Sequence, residues 1–296
     1  MVIPVEGALD IHVMDELLAR LASASGEPEV TLDLQRMRDV SIASTAWLIA
    51  SLRSLRQSGT RIAIVKPPDT SPAYFRLKWF RFFVLLEDLD ILPIGTLSET
   101  DREQSATGQK LLLPLATVQS NIDVQYVIAS VMDNLQHSLD RLQYGKKDIG
   151  NLSLIVSEAC RNICDHAGDE AIGVFAAELM RDDPPKLMIG LADDGCGLRD
   201  SLLRAHADAE IWTDEEVIRQ ALTKGISGIV GEERGLGLST IIAELSRYRG
   251  TLYLRSGRAR LRRQIGPKGD IEEHFFTTEV EIPGTMLSMS LLARSN

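Results

Sequence analysis

Three polar side chains recur at helical spacing near the middle of the chain. Glu158, Asn162 and Asp165 follow an i, i+4, i+7 pattern, so on a helix they form one stripe. The apolar residues of the same segment form a second stripe, which faces a core: Ile149, Leu152, Val156, Ala159 and Ile163. A helix that aligns polar groups beside its buried face is suited to holding a ligand at the rim of that core. Taken alone, the spacing also fits a solvent-exposed face.

Two glycine-bearing segments further along the chain make the pattern more specific. An apolar strand predicted over residues 186–192 runs into residues 193–197 (DDGCG), where the glycines let the backbone turn sharply and approach a ligand. An aspartate held there can accept a hydrogen bond from an exocyclic amine. Residues 235–239 (GLGLS) open a further helix, and glycines at a helix N-terminus form a site for phosphates. Each segment alone is more often a turn, but the three in this order predict one nucleotide site.

Together the three segments resemble the N, G1 and G2 boxes of the GHKL superfamily of ATPases and kinases, over roughly residues 110–296. The resemblance implies a two-layer α/β sandwich with a mixed sheet, and ATP with Mg²⁺ as cofactors. It makes Glu158 the general base, Asn162 the Mg²⁺ ligand and residues 199–234 a lid over the nucleotide. The cofactor-binding residues that it implies are Asn162, Asp165, His166, Asp193, Gly195, Gly197, Gly235, Leu236, Gly237 and Leu238.

Within that superfamily the chain is most similar to the anti-sigma-factor serine kinases, which often carry a histidine where His166 stands. Phosphoryl transfer needs a metal ion, fixed phosphates and an oriented nucleophile. Asn162 offers a hard oxygen ligand for Mg²⁺, and Glu158 lies one helical turn away, close enough to orient a water or a serine hydroxyl. Asp193 would accept a hydrogen bond from the adenine amino group, and the glycines of the third segment would approach the phosphates.

The N-terminal part shows a succession of strand, helix and strand. Residues 30–34 alternate apolar and polar as in a half-buried strand, a helix is predicted over residues 44–57, and residues 61–65 form an apolar strand. In so short a stretch this order implies a right-handed parallel crossover and an α/β layer. The fold class predicted for the whole chain is α/β (α+β).

The N-terminal part resembles the STAS family, the fold of anti-sigma-factor antagonists, in residues 32–34 and 40–46, the turn at Gly59 and the strand over residues 62–65. In switching members of that family a serine at the helix start is phosphorylated, which breaks partner binding. Ser44 stands at that position, where a helix N-terminus favours a phosphate group. Ala43 and Ala46 depart from the family pattern, which has aspartate and glycine there. Ser44 is therefore a candidate phosphosite, and a plain helix N-cap is the alternative explanation.

The boundary between the two parts is predicted from composition. Residues 93–109 are rich in proline, glycine, serine and threonine and contain few large apolar side chains, which is typical of a linker. We predict a STAS-like domain over residues 1–95, a linker over 96–109 and a GHKL-like ATPase domain over 110–296. A chain of 296 residues is long enough to give each of two domains its own core.

Composition and charge limit the classes of partner and compartment. A net charge of -10 argues against nonspecific nucleic-acid binding. No apolar run approaches the roughly 18 residues of a membrane span, and no signal peptide is recognised at the N-terminus. Three cysteines, an odd number, suggest reduced thiols in a cytoplasm. A group of five arginines fits either a solvated hairpin loop or a docking patch for an acidic partner: Arg255, Arg258, Arg260, Arg262 and Arg263.

STAS-like and anti-sigma-kinase-like modules are paired in partner-switching circuits, usually on separate chains. The leading hypothesis is an ATP- and Mg²⁺-binding regulatory protein that phosphorylates, or binds in an ATP-dependent way, a STAS-type or sigma-factor-like protein partner. One alternative is an ATPase in which lid closure drives homodimerisation or partner release. The other is a non-catalytic ATP sensor.

Overall fold

The computed structural model describes residues 1–102, 110–223, 225–226, 228 and 237–294. Its helices and strands fall into two groups along the chain. The first group comprises β1 (Val2–Leu9), α1 (Met14–Ser23), β2 (Glu29–Val40), α2 (Ile42–Gln57), β3 (Arg61–Val65), α3 (Pro72–Trp79), α4 (Phe82–Asp88) and α5 (Glu99–Arg102). The second group comprises β4 (Lys110–Val118), α6 (Asn121–Gln136), α7 (Leu139–Leu142), α8 (Lys146–His166), β5 (Gly173–Met180), β6 (Lys186–Asp193), α9 (Gly197–Leu203), α10 (Asp214–Ala221), α11 (Gly237–Leu245), β7 (Gly250–Ile265) and β8 (Ile271–Leu292).

The first group is built on a three-stranded parallel sheet in the order β1-β2-β3. Val30, Leu32 and Leu34 of β2 are buried, as the alternating pattern predicted. The helices α1 and α2 connect the strands, since parallel neighbours cannot be joined by a tight turn. The predicted strand–helix–strand unit and the α/β fold class are confirmed. The proposed domain boundaries stay predictions, and residues 103–109 of the linker lie outside the described residues.

Helix α2 begins at Ile42, earlier than the residue pattern predicted. Its N-cap is Ser41, whose extended backbone lets the side-chain Oγ accept a hydrogen bond from the Ser44 amide at 3.1 Å. The interpretation of Ser44 as the N-cap is therefore wrong. Ser44 lies in the first turn, fully buried, with its Oγ 2.8 Å from the Ser41 Oγ.

The second group is built on a five-stranded sheet in the order β4-β5-β6-β8-β7. All four pairings between these strands are antiparallel, so the mixed sheet expected here is wrong and parallel pairing is confined to the first group. Short connections join β5 to β6 and β7 to β8, and connections of that length can only link antiparallel neighbours. Strand β4 is an edge strand, which accommodates Pro114.

The five-stranded sheet is covered on both faces. Along β6, Leu187, Ile189 and Leu191 face the core formed with the helices of the second group. The alternate residues face the other way, where Ala192 joins the core of the first group and Gly190 lies against the backbone of Ala43 on α2. Helix α2 thus packs on one face of the sheet, and α6, α8 and α11 pack on the other.

Polar contacts reinforce the junction between the groups. The Trp47 indole of α2 donates to the Leu287 carbonyl at 3.4 Å. Arg76 of α3 forms a two-bond ion pair with the buried carboxylate of Glu178, at 3.1 and 3.3 Å. Such bidentate pairs fix geometry as well as charge. The junction is therefore both apolar and ion-paired.

Two of the five arginines near the end of the chain also belong to this junction. Arg255 and Arg260 pair with Asp15 of α1, and Arg255 is fully buried. For these two positions the acidic partner is part of the same chain. Arg258 and Arg263 instead pair with glutamates of the neighbouring strand β8.

No helix of the described residues combines the length and apolar character that crossing a bilayer requires.

Candidate functional site

A cavity of about 270 Å³ lies between α8, the end of β6 and the start of α11. Residues from the three motif segments meet in its wall, although they are far apart in sequence. The predicted site residues that line it are Glu158, Asn162, Asp165, His166, Asp193, Gly197, Gly237 and Leu238. Convergence of three separate segments on one cavity is the arrangement expected of a ligand site.

Three of the residues predicted to bind the cofactor are not among the described residues that line the cavity. Gly195 lies behind it, where a Cβ would overlap the backbone of Ala167. Its role is to let the 193–197 turn approach the end of α8. Gly235 and Leu236 lie outside the described residues, as does part of the predicted 199–234 lid.

Helix α8 supplies one wall of the cavity, and hydrogen bonds fix the start of this helix. At its start, the Gly145 amide donates to the Asp148 carboxylate at 2.7 Å, so Asp148 caps the helix from inside its first turn. The buried Asp148 also accepts from the Tyr248 hydroxyl at 3.0 Å and from Arg294 at 2.7 Å. The apolar stripe predicted from the sequence is buried in the core at Leu152, Val156, Ala159 and Ile163.

The polar stripe of α8 faces the cavity. Glu158 and Asn162 are half-buried, and Asp165 is exposed at the rim. Within the described residues, neither the Glu158 carboxylate nor the Asn162 amide has a hydrogen-bond partner. Half-buried polar groups without protein partners are available to a ligand.

The start of α11 approaches Asn162 closely. A Cβ on Gly237 would overlap the Asn162 side-chain oxygen, so a larger residue there would require the Asn162 side chain to move. The first residue of the helix thereby lies beside the amide that the sequence assigns to a metal ion. Since the first turn of a helix carries free amides and the positive dipole end, this corner favours an anionic group.

Asp193 ends β6 as a buried carboxylate facing the cavity. Burial raises its pKa to about 7, although the Gly195 and Thr285 amides lower that value and neighbouring Asp194 raises it. The Gly195 amide donates to Asp193 Oδ1 at 2.9 Å. Gly284 makes this packing possible, because a Cβ there would overlap the Asp193 carbonyl and its φ of +71° is a conformation that favours glycine. A poorly solvated carboxylate of this kind is suited to accept a hydrogen bond from a ligand amine.

His166 closes the cavity at the end of α8. Its Nδ1 lies 3.0 Å from the Ser201 hydroxyl of α9, and its carbonyl accepts from the Cys196 thiol at 3.2 Å. Burial lowers the pKa of His166. The neutral ring therefore joins α8 to α9. Sequence reasoning missed Ser201, because a serine inside a short helix carries no signal for such a contact.

The residues present fit a nucleotide with Mg²⁺. Among the described residues no group of three His, Cys, Asp or Glu side chains is placed to hold a metal ion by itself. Mg²⁺ in nucleotide sites is held by one or two protein oxygens together with phosphates and water. The Asn162 side-chain oxygen would be such a ligand, beside the first turn of α11.

The cysteines do not form part of the site chemistry. Burial raises the pKa of Cys160, and it raises the pKa of Cys164 and Cys196 as well. Thiols that stay protonated are poor metal ligands and poor nucleophiles. All three are free cysteines.

The apolar remainder of the wall supports a flat, weakly polar ring. Leu191, Leu254 and Leu287 line the cavity floor on the sheet. An adenine ring would contact these side chains while its amino group faces Asp193. A pocket with apolar walls and a few convergent polar groups is typical of small-ligand sites.

Ser44 does not share this cavity. It lies on α2, which packs on the face of the sheet opposite α8. A phosphate held at Asn162 and the Ser44 hydroxyl are therefore separated by the sheet.

Comparison with known proteins supports one of the two resemblances. Residues 1–80 match the family model described as "Mlab, STAS domain". The N-terminal part is thus a STAS-like domain, as its residue pattern predicted. No curated protein and no solved structure matches the chain.

Proposed function

We propose that this chain, whose first 80 residues form a STAS-like domain, is a cytoplasmic regulatory protein that binds ATP with Mg²⁺ in the cavity beside α8. The observation that carries the proposal is the convergence of three motif segments on one cavity. Glu158 and Asn162, Asp193, and Gly237 come from separate elements and line the same space. STAS-like domains act through protein partners, so the bound nucleotide would control a protein contact.

The assignment of roles follows the chemistry of each wall. Asp193 accepts the hydrogen bond of the adenine amino group, and Asn162 holds Mg²⁺ through one oxygen. When bound, the metal ion neutralises phosphate charge. Glu158 lies one turn from Asn162 and is available to orient a nucleophile.

The position of Ser44 limits the kinase form of the proposal. Because Ser44 is buried on the far face of the sheet, transfer to it within this arrangement of the chain has no path. A kinase activity would therefore act on a serine of a separate STAS-type or sigma-factor-like partner. ATP-dependent binding without transfer needs no accessible serine and is the alternative.

The test is a binding measurement by calorimetry, with ATP and MgCl₂ as the ligands. We expect a one-to-one complex that is weakened at least about tenfold by Asp193→Asn and by Asn162→Ala. The matched control is Asp133→Asn, an exposed carboxylate on α6, which should leave the affinity unchanged. If the unaltered protein binds no nucleotide at millimolar concentration, the proposal fails.

A second measurement separates kinase, ATPase and sensor. The protein is incubated with ATP labelled at the γ-phosphate, with and without a purified STAS-type partner. Labelled partner indicates a kinase, and released phosphate without labelled protein indicates an ATPase. Bound ATP that stays intact indicates a sensor.

A further inference from the structure

Arg53 reaches from the STAS-like domain to the strand end that carries Asp193. It lies on α2, and its Nη1 donates to Asp194 Oδ2. Its Nη2 donates to the Glu170 carbonyl at 3.3 Å. The Asp194 carboxylate has no exposed surface, so this ion pair is shielded from water on the acidic side. Shielded ion pairs depend strongly on both partners, because removing one leaves a buried charge uncompensated.

The two aspartates at the end of β6 point to opposite faces of the sheet. Successive side chains of a strand alternate between faces. Asp193 continues the row of Leu187, Ile189 and Leu191 toward the cavity, whereas Asp194 continues the row of Gly190 and Ala192 toward α2. One peptide unit therefore joins the cavity to the STAS-like domain.

Asp194 is held from three directions. The Ile172 amide donates to its Oδ1 at 2.8 Å, and Arg53 binds the other oxygen. Gln57 adds a third contact. When its side-chain amide nitrogen is turned toward Asp194, that nitrogen lies 3.2 Å from Asp194 Oδ2. The same orientation places the Gln57 oxygen 3.0 Å from Arg53 Nη1. Such a saturated carboxylate fixes the backbone on either side of it.

Charge adds to this geometric link. Asp194 raises the pKa of Asp193, and Arg53 provides the positive charge that offsets Asp194. Among the described residues, Asp194 and Cys196 lie beside Asp193 and Arg53 lies beyond the sheet. The other titratable or charged groups that line its cavity are all on α8: Glu158, Arg161, Asp165 and His166.

We propose that Arg53 is a positioning residue for the nucleotide site: by holding Asp194, it fixes the backbone that carries Asp193 and Gly195. The STAS-like domain thereby sets the ligand affinity of a cavity that it does not line. This inference rests on the proposed nucleotide binding for its ligand, but its charge effect is measurable without one.

The experiment compares the full-length protein with Arg53→Ala, Asp194→Asn and the double variant, using Mg·ATP calorimetry between pH 6 and pH 9. Arg53→Ala should weaken ATP binding about tenfold and move the pH dependence of the affinity to higher pH. Asp194→Asn in the same chain should restore the affinity to within about threefold, because an amide needs no counter-charge. The matched control is Arg56→Ala, on the same helix, whose partner Asp90 is exposed.

Two results would overturn the inference. One is ATP binding by Arg53→Ala with the affinity and pH dependence of the unaltered protein. The other is a loss of binding that Asp194→Asn does not restore, which would mean that Arg53 acts only through packing of α2.

A ligand-free measurement distinguishes this failure from failure of the proposed function. The part of the pH dependence of the thermal unfolding midpoint that Asp193→Asn removes reports the ionisation of Asp193 without nucleotide. Suppose that neither the unaltered protein nor any variant binds ATP. A shift of this pH dependence in Arg53→Ala would still support the electrostatic link between Arg53 and Asp193. An unchanged profile rejects it.

Discussion

At the scale of single residues, burial makes the Asp193 carboxyl group suited to contact a ligand amine and also costly to the stability of the fold. A carboxyl whose pKa is raised from 3.8 to about 7 in the folded protein binds a proton more tightly there than in the unfolded chain. Its contribution to stability is therefore complete below about pH 4 and is lost as the pH rises through about 7.

Asp193→Asn should remove this pH dependence. At pH 8 we expect the variant to have a higher free energy of unfolding than the unaltered protein, by on the order of 1 to 4 kcal/mol. Near pH 4 the two should be alike. Urea unfolding at both pH values checks this, with exposed Asp133→Asn as control. Equal stability at pH 8 would mean that Asp193 is ionised at no cost.

Glu158 allows a separate test of chemistry. Its carboxylate has no hydrogen-bond partner within the described residues, so Glu158→Gln should leave the fold and the nucleotide affinity nearly unchanged. If Glu158 orients the nucleophile, the turnover of ATP should fall roughly 100-fold while the Kd changes less than about threefold. Single-turnover kinetics together with calorimetry separate the two quantities. A parallel loss of both would assign Glu158 to binding alone.

Prediction from the sequence was most successful for the positions of individual side chains on α8. The i, i+4, i+7 spacing correctly placed Glu158, Asn162 and Asp165 on one side of a helix and the apolar stripe on the other. It could not reveal Arg53, which lies far away in sequence and contacts the site only through the fold. An arginine on an amphipathic helix carries no local signal of its partner.

At the scale of elements, the first turn of α11 leaves little space for a larger side chain in place of Gly237. Gly237→Ala would place a methyl group against the Asn162 oxygen and push that side chain from its position. We expect Mg·ATP affinity to fall at least about tenfold, with little change in the fold.

Gly150 of α8 is the matched control for that substitution. A Cβ there meets no atom within 4 Å. Gly150→Ala should therefore leave binding unchanged and raise the free energy of unfolding by about 0.5 to 1 kcal/mol, the usual gain from alanine in a helix. Calorimetry and urea unfolding of both variants check this pair. Equal effects on binding would remove the specific role of Gly237.

Element boundaries and pairing directions were harder to predict than element types. The start of α2 was misplaced because Ser41 and Ser44 are both competent N-caps, and only the folded backbone selects between them. The mixed sheet was wrong because it came from a family resemblance and not from the strands. Residues 173–177 of β5 do carry a signal, because they are continuously apolar and such runs indicate burial on both faces.

At the scale of the whole molecule, that second buried face is the main finding that the sequence did not predict. The STAS-like domain does not sit at the end of a free linker, since α2 covers the sheet that forms the cavity floor. One core joins residues of both groups, among them Trp47, Val174 and Met286. Removing a large side chain from this junction should therefore destabilise both groups together.

Trp47 provides the final test, because its indole is 1% exposed and its Nε1 donates to β8. Trp47→Ala should lower the free energy of unfolding by about 3 to 5 kcal/mol, the usual cost of deleting a large aromatic side chain from a core. If the junction couples the groups, far-UV circular dichroism and tryptophan fluorescence should still report one coincident transition. The fluorescence is measured with Trp79 also replaced by phenylalanine, so that Trp212 in the second group is the remaining emitter. Trp212→Ala, at a half-buried position, is the control and should cost less. Two separate transitions, with only the STAS-like domain destabilised, would show that the two groups fold independently. Arg53 could not then link them in the way we propose.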